Sequence, residues 1–461
     1  MKISGVTDAR IAIAQILSDM RQGDLLDAAF ERRAKPLDAR DRRWLHELLW
    51  GMLRRRGWLD AILASRVTGG LAKLDADVVD SLRAGSYQLL FMGSVPAYAA
   101  IAQTVELTKR RDGIGASKLV NAVLRRVDRE RETLEPPRTP DPIEMLATHG
   151  SHPQWVVARW VERWGLDEAE QLLDANNDEA PITVRPFGVS RDQLDTMLAV
   201  SGVETSAVPL VPDSIRLGTG VALTELDAFQ QGLLYVQDPA ATLVTRYADI
   251  PEGAVVADLC AAPGGKALEL ARRASVVIAV DRSMARTERM LLGFARLGMP
   301  RQGMPREGLG GSAVGTDAVD RTPHIVAMIA DASIPAIAPV DVVLIDVPCT
   351  GTGTFRRHPD ARWRLRISDF AVMAATQRAI LRAAARLVKP GGLLIYSTCS
   401  LELEENDEPV QHFLAAHPNF VLEPPADGVV PDTVLDQGLL RVLPQRHGTD
   451  GAFAARLRRV D

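Results

Sequence analysis

From about Gly253 onward, brief apolar runs alternate with helical stretches, and this rhythm constrains the fold more than any other feature. Strands buried on both faces form such continuous runs, and strand–helix alternation is typical of a parallel, doubly wound sheet. We therefore predict an α/β, Rossmann-like domain that ends in an antiparallel pair. Its strands are expected at Ala254–Leu259, Val276–Val280, Ile325–Ala330, Val342–Ile345 and Leu393–Tyr396, with the final pair at Leu439–Leu443 and Phe453–Leu457.

The first 135 residues have a different pattern. Apolar residues recur at helical spacing, for example between Ile13 and Met20, which predicts an all-α domain. Four prolines between Glu135 and Pro142 cannot continue a helix and mark a linker. The helix that Pro153 opens and the short alternating runs after it predict a small α+β module. The predicted domains are 1–135 (all-α), 136–145 (linker), 146–228 (small module) and 229–461 (α/β).

Composition excludes several classes of protein. No stretch of the 461 residues approaches the roughly 18–20 apolar residues of a membrane-spanning helix, and the N-terminus has no secretory pattern. Three cysteines cannot build a disulfide framework. We expect a cytoplasmic, monomeric protein without a membrane partner. Because the net charge is −5, nucleic acid would have to be held by a local patch.

One such patch is visible. Between Arg32 and Arg66, ten Lys or Arg stand against four Asp or Glu, and they include the triplet Arg54, Arg55 and Arg56. A charge run is more often a solvated helix face, so this one alone is weak evidence for nucleic-acid contact.

The most informative loop is Asp258-Leu-Cys-Ala-Ala-Pro-Gly-Gly-Lys266, directly after the first predicted strand. Its paired glycines permit the close backbone approach that cradles a cofactor at the carboxyl edge of a sheet. Asp281 ends the next strand, where an acid commonly accepts hydrogen bonds from ribose hydroxyls, and Asp331 after the third strand could accept one from an adenine amino group. The alternative is a tight turn without a ligand.

Two further loops contain the other cysteines. Asp346-Val-Pro-Cys349 and Thr398-Cys399-Ser400 each follow a strand, so both should face the same crevice as Cys260. Two cysteines at neighbouring strand ends favour nucleophilic chemistry. A metal site using the three cysteines and His358 is the rival, but the paired Cys-x-x-Cys spacing of structural zinc is missing and no metal is expected.

These three motifs, in this order, resemble those of the S-adenosylmethionine-dependent RNA cytosine-5 methyltransferases. The helical N-terminus, with Val120-Asn-Ala-Val-Leu-Arg-Arg126, resembles the RNA-binding NusB-like domain. The pairing is similar to bacterial 16S ribosomal RNA cytosine-5 methyltransferases of the RsmB/Sun type. The resemblance covers nearly the whole chain. It implies methyl transfer from S-adenosylmethionine to carbon 5 of a cytosine in RNA, and the expected substrate is 16S ribosomal RNA.

The resemblance also implies roles for individual residues. Cys399 would be the nucleophile, Cys349 would help to remove the carbon 5 proton, Asp346 would bind the cytosine edge, and Lys266 would supply positive charge. The implied cofactor site is Cys260, Ala261, Ala262, Pro263, Gly264, Gly265, Lys266, Asp281, Asp331 and Asp346. The implied RNA contacts are Arg54, Arg55, Arg56, Arg356, Arg357 and His358, the last three beside the Cys349 loop and the first three forming a distant second grip.

Two alternatives stay open. A cytosine-5 methyltransferase acting on DNA or transfer RNA would put Cys349 in the nucleophile's role. An RNA-binding assembly or antitermination factor would use the C-terminal half only for binding. The Gly-rich stretch Met299–Pro323 is read as a long inserted loop with no assigned purpose.

Overall fold

The computed structural model describes residues 5–299 and 324–461. The chain divides into two compact units: a helical unit formed by Met1–Asp178 with Phe355–Arg364, and a catalytic-motif unit formed by Glu179–Thr354 with Leu365–Asp461. This division differs from the predicted boundaries, because the helices that follow the proline linker group with the N-terminal domain. Apart from Met299, the predicted inserted loop lies outside the described residues.

The helical unit confirms the all-α prediction for the N-terminal part. Asp38 caps its third helix by accepting a hydrogen bond from the Asp41 amide, and Gly113, at φ 91°, kinks the long sixth helix. The helices are α1 Asp8–Arg21, α2 Leu26–Ala34, α3 Ala39–Arg54, α4 Arg56–Ala64, α5 Ala76–Phe91, α6 Ala97–Glu130, α7 Pro142–His149, α8 Gln154–Trp164 and α9 Leu166–Asn177.

A small four-stranded antiparallel sheet opens the second unit and confirms the α+β module. Ser190 and Gln193 form a capping box that starts its longer helix. The strands pair in the order β2-β3-β1-β4. The elements are β1 Thr183–Pro186, α10 Arg191–Val200, β2 Thr205–Ala207, β3 Ile215–Leu217, α11 Asp227–Gln230 and β4 Leu234–Val236.

The remaining elements form the predicted α/β domain. The strands are β5 Val255–Asp258, β6 Val276–Asp281, β7 Ile325–Ile329, β8 Val340–Asp346, β9 Val388–Thr398, β10 Phe420–Leu422, β11 Leu435–Asp436, β12 Leu439–Val442 and β13 Ala452–Arg459. The helices are α12 Pro239–Tyr247, α13 Gly265–Leu270, α14 Met284–Arg296, α15 Ala361–Arg364, α16 Ile367–Ala385, α17 Asp407–Ala416 and α18 Pro444–His447, of which α15 belongs to the helical unit.

The main sheet has the order β11-β12-β13-β9-β8-β5-β6-β7. Strands β5 to β9 are parallel, and β13 and β12 add the predicted antiparallel pair beside β9. Alternate residues of each strand enter two separate cores: Val342 and Leu344 pack on one face, and Val343 and Ile345 on the other. Both faces are therefore covered, as in a doubly wound sheet. Within the described residues, no helix combines the length and apolar character that crossing a bilayer requires.

Candidate active site

The glycine loop between β5 and α13 reaches its shape through Gly264. This residue adopts φ 103°, and a Cβ there would lie 2.7–2.8 Å from side-chain atoms of Phe294 and Met290. Only glycine satisfies both the left-handed backbone and the close approach of α14. The loop backbone is thereby fixed at the carboxyl end of β5, where parallel sheets bind ligands.

A cavity of about 450 Å³ opens at this edge of the sheet and is lined by all three acids of the predicted cofactor site. Asp281 accepts a hydrogen bond from the Ser283 amide (2.9 Å) and lies 3.4 Å from the Arg286 guanidinium. Asp331 accepts hydrogen bonds from the amide and hydroxyl of Ser333, which lower its pKa. Cys260, Ala262, Asp346, Cys349 and Cys399 line the same cavity.

A second cavity of about 490 Å³ shares Cys260, Ala262 and Asp346 with the first. Its lining adds Lys266, Asp258 and the loop residues Ala261, Pro263 and Gly265. The glycine loop and Asp346 therefore stand between two cavities. Two ligands could therefore bind in separate cavities and approach each other at Asp346.

Lys266, Asp346 and Ser397 form a hydrogen-bonded chain. The Lys266 ammonium donates to one Asp346 carboxylate oxygen (2.7 Å) and the Ser397 hydroxyl donates to the other (2.8 Å). Strand pairing places Ser397 directly opposite Asp346. Burial lowers the pKa of Lys266, but the charge and hydrogen bond of Asp346 outweigh it, and the net pKa lies above the ordinary value. The lysine is therefore held as an ammonium.

Asp258 is a further acid beside this chain. Its side chain is fully buried at the end of β5. Burial, and secondarily the charge of Asp346, raise its pKa to about 7, although Lys266 opposes the change. The sequence motif includes Asp258, but nothing in the sequence indicated that it would titrate near neutrality.

The two loop cysteines are in contact. Their sulfur atoms lie 3.2 Å apart at the ends of the neighbouring strands β8 and β9. The hydrogen bond with Cys399 and burial of the thiol raise the pKa of Cys349 well above its usual range. Cys260 lines the same cavity, and burial raises its pKa as well.

Glu405, which the sequence analysis missed, ties the two cysteine loops together. Its buried carboxylate accepts hydrogen bonds from the Thr350 amide (2.9 Å), the Gln377 side chain (3.0 Å) and the Ser400 hydroxyl (2.5 Å), and also from the Thr350 hydroxyl. Burial is the main reason that its pKa is raised. The only signal was an acid shortly after Thr-Cys-Ser, within a charged stretch that is typical of an exposed loop.

The predicted RNA-binding residues are all in the helical unit, and the two groups are neighbours. Arg54 donates to the main-chain oxygen of Arg356 (3.2 Å), and His358 lies 3.3 Å from Asp27. Arg356 is buried, with 7% exposure, so its side chain is not available as a surface phosphate contact. The expectation of two distant grips is therefore wrong, because both groups belong to one part of the fold.

The other two arginines of the triplet pack on aromatic rings. Arg55 lies over Phe91 and Arg56 over Trp363. No group of three or more His, Cys, Asp or Glu side chains suited to a metal ion occurs in residues 5–299 and 324–461.

Comparison with known proteins assigns the chain to a family. Three family models match it: the NusB family at residues 7–129, the ferredoxin-like domain of RsmF/B-like methyltransferases at 152–224, and 16S rRNA methyltransferase RsmB/F at 247–458. The predicted NusB-like domain and methyltransferase fold are thereby confirmed.

Two relatives and one solved structure match the chain over nearly its full length, and a second solved structure shares the fold over part of it. Ribosomal RNA small subunit methyltransferase B of Sodalis glossinidius is 34% identical, covering 97% of this chain and 95% of its own. The Erwinia tasmaniensis protein of the same name is 33% identical over 98% and 99%. The crystal structure of PH0851 matches with a TM-score of 0.78 at 26% identity, covering 99% of each chain. NSun6 from Pyrococcus horikoshii, solved with SFG, shares the fold over 67% of this chain and 98% of its own (TM-score 0.54, 21% identity).

Since relatives more than 30% identical cover almost the entire chain, it belongs to the RsmB/F family of 16S ribosomal RNA methyltransferases.

Proposed function

We propose that this enzyme transfers a methyl group from S-adenosylmethionine to carbon 5 of a cytosine in 16S ribosomal RNA, through a covalent bond between Cys399 and the base. The observation that carries the proposal is the 3.2 Å contact of Cys349 and Cys399 in a cavity shared with Asp346. Carbon 5 of cytosine is a poor nucleophile, and covalent addition at carbon 6 divides one difficult displacement into easier steps.

The residues at the first cavity fit S-adenosylmethionine. Its volume of about 450 Å³ is in the range of cofactor sites. Asp281 and Asp331 offer acceptors for ribose hydroxyls and an adenine amino group. The glycine loop contributes Cys260 and Ala262 to the lining of this cavity, and its Gly264 and Gly265 add no side chains to the loop. When bound, the cofactor supplies a methyl group on an electrophilic sulfonium.

The cysteines divide the bond-making and bond-breaking steps. The Cys399 thiolate bonds to carbon 6, and the carbon 5–carbon 6 double bond becomes an enamine whose carbon 5 takes the methyl group. Cys349 then accepts the carbon 5 proton, the carbon–sulfur bond breaks, and the Cys399 thiolate is regenerated. The hydrogen bond that most raises the pKa of Cys349 comes from Cys399. Bonding of Cys399 to carbon removes it, so Cys349 becomes more acidic when a thiolate base is needed there.

Asp346 and Lys266 would bind the target base. A carboxylate accepts a hydrogen bond from the cytosine amino group, and Asp346 is already oriented by Lys266 and Ser397. The Lys266 ammonium provides positive charge where negative charge develops on the ring. The target cytosine must leave its stack to reach this site, so the substrate is a single-stranded or flipped nucleotide.

Arg54, Arg55, Arg56, Arg357 and His358 would hold RNA phosphates on the helical unit. Phosphate contacts release counterions, so we expect binding to weaken steeply with salt despite the acidic net charge.

The decisive experiment uses two cysteine variants with S-adenosylmethionine and unmethylated 16S RNA. Cys399→Ser should abolish both methylation and the covalent RNA–protein complex. Cys349→Ser should methylate the base and then retain it as a denaturation-resistant complex. The reverse pattern would assign nucleophilic attack to Cys349, as in the DNA-type alternative.

Parallel reactions with transfer RNA and DNA test the acceptor, and calorimetry tests cofactor binding. Preferred methylation of transfer RNA or DNA would contradict the 16S assignment. An absence of S-adenosylmethionine binding would instead favour the binding-only assembly factor.

A further inference from the structure

The segment Phe355–Arg364 follows the Cys349 loop in sequence but belongs to the helical unit. Thr354 is the last residue of the catalytic-motif unit before the segment, and Leu365 is the first after it. Only five residues separate Cys349 from Phe355. The segment therefore begins close in sequence to Cys349, the proposed proton acceptor.

Arg362 fixes this segment inside the helical unit. Its guanidinium is fully buried and donates four hydrogen bonds, to the main-chain oxygens of Ser151 (3.3 Å), Asn176 (2.9 Å) and Phe355 (3.1 Å) and to the Asn177 side chain (2.8 Å). Burial lowers its pKa to about 9. Burying a guanidinium is costly unless its donors are satisfied. Both terminal nitrogens of Arg362 are satisfied, and the planar fork of arginine lets them reach four acceptors at once, whereas its buried Nε has no hydrogen-bond partner.

Further contacts fix the remainder of the segment. Trp363 donates from its indole to the Leu53 oxygen (3.0 Å), and Trp50 donates from its indole to the Arg357 oxygen (3.0 Å). Phe355 is fully buried, with its ring 6.1 Å from that of Trp160. Since Arg362 also bonds to the Phe355 oxygen, the two ends of the segment are joined.

The stretch between Cys349 and Phe355 has little freedom to absorb a displacement. The Gly353 amide donates to the Cys399 oxygen (3.0 Å), and its oxygen accepts from the Gly451 amide (2.7 Å). A Cβ on Gly353 would lie 2.6 Å from the Cys399 oxygen. Thr354 alone separates Gly353 from Phe355, so we expect a shift of Phe355 to strain one of the contacts that join the two cysteine loops.

We infer that Arg362 is a positioning residue for the release step, acting through Phe355 to keep Cys349 in place beside Cys399. The inference rests on the proposed function. It assigns a role to Arg362, which is not among the RNA contacts that the resemblance implies. A loosened Phe355 should impair proton removal by Cys349 more than the addition and methyl transfer that precede it.

The test compares Arg362→Lys, which keeps a basic group but loses the fork, with Arg364→Lys in the same short helix. Arg364 is half-exposed and has an ion pair with Asp360 (2.9 Å). For Arg362→Lys we expect near-normal methyl transfer in a single turnover, steady-state turnover reduced about ten-fold, and accumulation of the covalent complex. Arg364→Lys should match the wild-type enzyme in steady-state turnover and should accumulate no covalent complex. Adding Cys399→Ser to Arg362→Lys should remove the complex.

A purely structural role gives a different result. Loss of folded enzyme lowers the single-turnover amplitude and the steady-state rate together and accumulates no covalent complex, and that outcome would overturn the inference. If Arg362→Lys does not fold, the test uses Trp50→Phe, which removes one hydrogen bond to the segment. This variant should accumulate the covalent complex to a smaller extent, and no accumulation would contradict the inference. Should Cys349→Ser itself fail to trap RNA, the proposed function fails instead.

Discussion

Replacing Glu405 should disturb both cysteine loops at once, and the structure allows the cost to be worked out. In Glu405→Ala, the Gln377 amide keeps its second acceptor, the Pro348 oxygen (3.0 Å), and the Ser400 hydroxyl can turn to Thr352 (3.3 Å). The Thr350 amide is left without its acceptor, which costs about 1–3 kcal/mol. The hydroxyl groups of Thr350 and Ser400 also lose their hydrogen bonds to the carboxylate. In total, we expect the free energy of unfolding to fall by about 2–4 kcal/mol.

The assay is urea unfolding together with methyl transfer, and Glu408→Gln serves as the matched control. Glu408 is an exposed acid in the first turn of α17, so its change should cost no more than about 0.5 kcal/mol. Because small displacements of reacting groups are expensive, the turnover of Glu405→Ala should fall about 100-fold. An unfolding free energy within about 0.5 kcal/mol of the control, with turnover within a factor of about two, would refute the reasoning.

The pH dependence of Glu405→Gln has a definite sign. Burial raises the pKa of Glu405, so the folded state favours the neutral carboxyl. This contribution to stability is complete below the unfolded carboxyl's pKa and is lost as pH rises through the folded value. Glu405→Gln should therefore destabilise the protein more at acidic than at alkaline pH.

Three further changes follow from the same geometry. The pKa of Asp258 is raised to about 7, so the wild-type protein should lose stability between about pH 4 and 7. In thermal unfolding, Asp258→Asn should flatten this dependence of stability on pH, and an unchanged dependence would contradict the assignment. Gly264→Ala places a Cβ 2.7–2.8 Å from Phe294 and Met290 at positive φ, so cofactor affinity measured by calorimetry should drop at least about ten-fold, whereas wild-type affinity would disprove the role of the loop. Lys266→Met removes the partner of Asp346 and should shift the alkaline limb of the pH–rate profile; an identical profile would exclude the lysine from catalysis.

The sheet and the motif loops could be predicted from sequence because their signals are local. Continuous apolar runs identify β5 to β9, and the residues directly after those strands must share one edge of the sheet. That rule alone predicts that Cys349 lies near Cys399, and the 3.2 Å distance between their sulfur atoms confirms it. It also brings Asp346 to the same cavity as Cys260 of the glycine loop.

Features that depend on long-range packing could not be predicted in this way. Arg356 and Arg362 look like surface cations in sequence, yet both are buried. The Arg356 main-chain oxygen accepts a hydrogen bond from Arg54, and the Arg362 side chain donates to Asn177, so both contacts join distant parts of the chain. Glu405 looks exposed because its neighbours are charged, and only the fold shows four donors converging on it. The sequence supplies no periodicity from which such buried polar contacts could be inferred.

The most direct test of the central claim uses wild-type enzyme and 16S RNA in which 5-fluorocytosine replaces cytosine. With fluorine at carbon 5 there is no proton to remove from that carbon, so the release step cannot occur. The reaction should therefore stop after methyl transfer, with the RNA still covalently bound to the enzyme. Mass spectrometry of the digested complex should show a methylated fluoropyrimidine nucleotide on the peptide that contains Cys399. A nucleotide on the peptide of Cys349, or efficient methylation of ordinary RNA with no trapped complex on the fluorinated RNA, would contradict the account.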